Sequence, residues 1–136
     1  MNREPARFAL ICLLGVNMLF QLALALGAPW GSAAWGGGNQ GTLPLSLRIS
    51  SGLAAVLWGW ALLVVLGRFL GVVGQRRVLL ALGVLSLVSI AMNFASPSAL
   101  ERGLWTPFAV LMSVLSWLCW WRARDQVDGY MSQWRA

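Results

Sequence analysis

Four long apolar runs, over residues 8–27, 49–66, 78–96 and 104–121, fill most of this 136-residue chain, and none contains a charged residue. A hydrocarbon layer about 30 Å thick is crossed by about 20 apolar residues of helix, and each run is near that length. The expected fold is therefore all-α: one integral membrane domain, a bundle of four transmembrane helices with both termini cytoplasmic. Composition agrees. Hydrophobic residues make up 59% of the chain and charged residues only 10%. A small domain leaves too much surface exposed to bury so much apolar area in water, so lipid is the expected cover and partner.

The net charge is +6, and every positive charge is arginine. These arginines sit in short segments beside the spans, which points to topology and anionic headgroups rather than nucleic acid. Arg3, Arg7, Arg68, Arg76, Arg77, Arg122, Arg124 and Arg135 fall on one side, and Arg48 and Arg102 on the other. Eight against two places the termini and the second loop inside. Trp30, Trp35 and Trp105 mark the outer interface, and Trp120 and Trp121 the inner one. The first run, preceded by Arg3 and Arg7 and ending near Ala23-Leu24-Ala25, has traits of a signal peptide. It is longer than an ordinary signal core and is read as a retained span.

Several side chains have informative spacing. Asn17 and Gln21 share a face of span one, being four residues apart. Ser51, Ala55 and Gly59 repeat every fourth residue in span two, a small-residue stripe that lets another helix approach closely. Ser86, Ser89, Asn93 and Ser96 form one polar stripe on span three, which Pro97 ends. Pro107 opens span four. The connection over 28–47 is long and rich in glycine and tryptophan, which suits either a tether at the lipid surface or a lid over an outward pocket. The segment over 69–77 is a short basic turn, joining spans two and three as an antiparallel hairpin.

The chain has no histidine, and no span carries Asp or Glu. Proton relays and ion-coupled transporters ordinarily need such groups, as do haem and catalytic metal centres. No metal, cofactor or catalytic residue is expected. Cys12 and Cys119 lie inside spans and read as small apolar residues. One constellation remains. By depth alone, Gln21, Arg48, Ser51, Ser89, Asn93, Glu101, Arg102 and Thr106 converge near the outer side. They could bond one another between helices. They could instead form a vestibule for a lipid headgroup or small ligand, with Arg48 or Arg102 gripping a phosphate or carboxylate and Glu101 paired to an arginine. The leading functional expectation is a non-enzymatic protein that works by self-assembly or as an accessory subunit of a membrane complex. The alternative is a lipid or small-amphiphile binding or transport protein using that vestibule.

Gly27-Ala28-Pro29-Trp30-Gly31, Trp35-Gly36-Gly37, Leu43-Pro44, Arg48, Asn93, the stretch SPSALERGLW at 96–105 and Pro107 together resemble a family of small four-span bacterial membrane proteins. The resemblance runs from span one to the start of span four. It implies a bacterial inner-membrane protein and carries no reaction, substrate or residue role. The opening of span one, RFALICLLGVN, is also similar to the GtrA-type glycolipid flippase family over that one apolar segment.

Overall fold

The computed structural model describes residues 4–133, and among these every regular element is helical. Helix α1 is Glu4–Leu26, α2 is Leu45–Val65, α3 is Val72–Ala95 and α4 is Thr106–Gln133. Two 3₁₀ turns, Gly31–Ala33 and Trp35–Gly37, lie between α1 and α2. A π-helical turn, Glu101–Trp105, leads directly into α4. The four candidate spans are 21 to 24 residues long. At 1.5 Å per residue that is roughly 32–36 Å, enough to cross a bilayer.

The helices outrun the apolar runs. Arg48 lies inside α2, and Gln75, Arg76 and Arg77 lie in the first turns of α3. The long connection shrinks to 27–44 and the basic turn to 66–71. Helix ends are set by backbone bonding, and a charged residue can occupy a terminal turn of a helix once its head can reach polar surroundings.

Packing follows two hairpins, α1 with α2 and α3 with α4, joined mainly through α1 and α4. Although adjacent in sequence, α2 and α3 touch only lightly. Small residues allow each close approach. The stripe of α2 faces α1: Ser51 and Ala55 are buried, and a Cβ on Gly59 would stand 3.2 Å from Met18 Sδ. Gly83 of α3 accommodates Trp117 of α4, where an added Cβ would meet the indole nitrogen at 2.9 Å. Apart from a small pocket of about 90 Å³ beside Arg7, Gln75 and Cys119, the half of the bundle nearer the termini is closely packed. Leu10, Leu14, Ala61, Val65, Leu79, Leu82 and Met112 close it as one core drawn from all four helices. A smaller core of Leu24, Ala34 and Leu43 seats the first connection on α1 and α2. The outer surface is apolar: Val56 is 72% exposed, Met92 69% and Phe94 73%.

Candidate functional site

Between those two cores the helices part around a cavity of about 320 Å³. Two polar stripes supply its wall. Asn17 and Gln21 reach it from α1, and Ser86, Ser89 and Asn93 from α3. Aromatic side chains complete it, with Phe20 tilted on Trp105 at 4.5 Å and Phe108 edge-on to Trp105 at 5.2 Å. Gln21 Oε1 is buried without a hydrogen-bond partner.

The first connection covers this cavity as a lid, and Glu101 fastens it. Glu101 is 6% exposed and lines the wall. Its Oε1 accepts from the Gly36 N–H at 2.8 Å, and its Oε2 accepts a short hydrogen bond from the Ser96 hydroxyl. Three further bonds hold the lid. Trp105 Nε1 donates to the Ala33 carbonyl at 2.7 Å, the Ser98 hydroxyl to the Ser32 carbonyl at 3.0 Å, and Trp35 Nε1 to the buried Ser51 hydroxyl at 3.0 Å. Trp35 has φ 54. A bulky residue in the left-handed region costs about 1–3 kcal/mol and persists only where its surroundings over-determine it. The π-helical turn places Glu101 and Trp105 on the same wall, and π turns recur where side chains are specially aimed.

Of the eight residues expected to converge, Gln21, Ser89, Asn93 and Glu101 line the cavity. Ser51 touches it only through Trp35. Thr106 is off the wall, with its hydroxyl buried and unpaired. Arg48 and Arg102 are elsewhere for a physical reason. The last carbonyls of a helix have no partner inside it and carry its negative dipole end. Arg48 Nε donates to the Ala25 carbonyl of α1 at 3.0 Å, and Arg102 Nη1 to the Ser96 carbonyl after α3 at 2.6 Å. Glu101 correspondingly has neutral partners instead of an arginine. The tryptophans also divide. Trp30, Trp35 and Trp121 are partly in the open, Trp105 is spent on the cavity and lid, and Trp120 lies under the Arg76 guanidinium at 4.8 Å.

Sequence reasoning put Ser96 on the polar stripe of span three but missed its bond to Glu101 and the part played by Ser98. Ser98-x-x-Glu101 has the spacing of a capping box, and Ser98 Oγ does accept from the Glu101 N–H at 3.3 Å. The reciprocal half is absent, because the Ser98 N–H donates to Ser96 Oγ. That frees the carboxylate for the lid.

The class defined by this geometry is a four-helix protein with helices able to span a membrane and a lidded, polar and aromatic cavity between two helical hairpins. No family model, curated protein or solved structure matches the chain. Among the described residues, no three His, Cys, Asp or Glu side chains come together as a metal site.

Proposed function

We propose that this chain is a multi-pass protein of a bacterial cytoplasmic membrane that binds a small amphiphile in the lidded cavity. Insertion is supported by four helices of spanning length and by their exposed apolar surface. Cytoplasmic termini are supported by the arginine surplus at the end of the bundle that carries them. The bacterial setting rests on the resemblance of the loop and span-three motifs.

One observation carries the binding reading: the cavity wall mixes amides, hydroxyls and a carboxylate with aromatic faces, under a covering segment. Ligand sites have this composition, mostly apolar with a few placed polar groups. A helix bundle that needed only to pack would fill the space with aliphatic side chains. The base is closed by the four-helix core and the top by the lid. Gly59 of the α2 stripe meets Met18 of α1 and so serves packing within the chain.

The test is calorimetric titration of the protein in phosphatidylcholine nanodiscs with dodecylammonium, dodecylglycerol and dodecylphosphate. The expected result is saturable binding of at least one probe, near one per chain, that Ser89→Phe removes. Non-saturable uptake of all three, the same as in empty discs, would overturn the reading.

A further inference from the structure

We infer that the head group taken by this cavity is a small organic cation, an alkylammonium. This deepens the binding reading above and rests on it.

The wall carries one ionisable side chain, Glu101, and no basic residue. Both carboxylate oxygens accept from neutral donors, Gly36 N–H and the Ser96 hydroxyl, and each oxygen keeps further acceptor capacity. Arg102, its neighbour in sequence, donates instead to the Ser96 carbonyl, and Arg48 donates to that of Ala25. A buried carboxylate bonded only to neutral donors gains from a direct ion-pair partner, which a bound cation supplies. Two other features ask for the same ligand. Gln21 Oε1 is a buried acceptor with no donor, which an ammonium N–H supplies. The rings of Phe20, Trp105 and Phe108 line the same wall, and an aromatic face attracts a cation. An anionic head would meet Glu101 with nothing to pair it. A neutral polyol would satisfy the amides but gain nothing from the carboxylate or the rings.

The three chain-matched probes decide the matter, titrated into wild type, Glu101→Gln and Phe20→Leu in the same nanodiscs. Glutamine retains an oxygen for the Gly36 N–H, so the lid keeps its fastening while the charge is lost. Wild type is expected to bind dodecylammonium at least about tenfold more tightly than either other probe, a ratio within reach of one ion pair with cation–π contact. Glu101→Gln removes that preference, bringing dodecylammonium to the affinity that the same variant shows for dodecylglycerol. Phe20→Leu, with the carboxylate intact, weakens the ammonium several-fold. Saturable binding with equal affinity for the neutral or anionic probe, or a preference that survives Glu101→Gln, overturns the cation assignment while the cavity reading stands. Absence of saturable binding by every probe overturns both.

Discussion

At Gly37 there is no room for a methyl group. Its φ is +67, and an added Cβ would lie 2.4 Å from Ser98 Cβ, in the turn that holds the lid. Gly36 next to it has φ +82 but open space around the missing Cβ. Gly36→Ala therefore carries only backbone strain, about 1 kcal/mol, whereas Gly37→Ala adds a clash that must push lid and Ser98 apart. The expected consequence is an open lid. In a chain with Cys12 and Cys119 replaced, a maleimide should modify an Asn93→Cys thiol several-fold faster with Gly37→Ala, and only slightly faster with Gly36→Ala. Equal rates would mean that Ser98 does not seat the lid. Single residues were legible here to differing degrees. Gln21, Ser89 and Asn93 could be placed because helix periodicity alone puts them on polar stripes. Gly37 and Ser98 could not, since their contact joins a loop to a turn 61 positions away, and no local pattern encodes it.

Helices α1 and α2 share one method of ending. In α1 the Gly27 N–H donates to the Leu24 carbonyl and the Ala28 N–H to that of Ala23, and in α2 Gly67 and Arg68 repeat the pattern on Val64 and Leu63. Both are Schellman caps on a glycine of positive φ, and each leaves the carbonyl of the preceding turn open. An arginine from another helix takes that carbonyl in both cases. Arg48 reaches Ala25, and Arg7 donates to Val65 through Nε at 3.0 Å and Nη2 at 2.7 Å, with Gln75 Nε2 adding a bond at 3.0 Å. Each such arginine ties one helix end to a neighbour and opposes the helix dipole. Arg48→Met should keep the packing of the stem and lose the charged hydrogen bond, at about 1.5–3 kcal/mol. Arg77→Met, at an exposed position, should stay within about 0.5 kcal/mol. Chemical unfolding in mixed micelles measures both, and equal losses would contradict the cap. Apolar length made the four elements readable in the sequence. The arginines were readable as a topological count, and Leu-Gly after each of the first two runs was a usable stop signal. Their carbonyl partners were not readable, because those bonds span 23 and 58 residues of chain.

For the molecule as a whole, the cavity sets stability against use. A four-helix core closes most of one half of the bundle, while the other half leaves 320 Å³ whose wall includes the unpartnered amide oxygen of Gln21. Such space costs packing and leaves polar atoms short of partners. Its retention makes physical sense if something occupies it. Ser89 separates these effects. Its hydroxyl donates at 2.9 Å to Leu85 within its own helix, so no other element depends on it, and its Cβ stands on the cavity wall. Ser89→Leu should fill part of the space with apolar atoms and stabilise the empty protein by about 1 kcal/mol, seen as a higher Tm in nanodiscs. The same change should weaken probe binding and reduce the rise in Tm that a saturating probe gives the wild type. A cavity that is merely a packing defect would show the first effect without the second. A variant both less stable and unable to bind would indicate that Ser89 supports the fold instead of lining a site. The combination of a more stable bundle with a lost ligand is the signature expected of a chain that keeps a gap at its centre in order to hold something there.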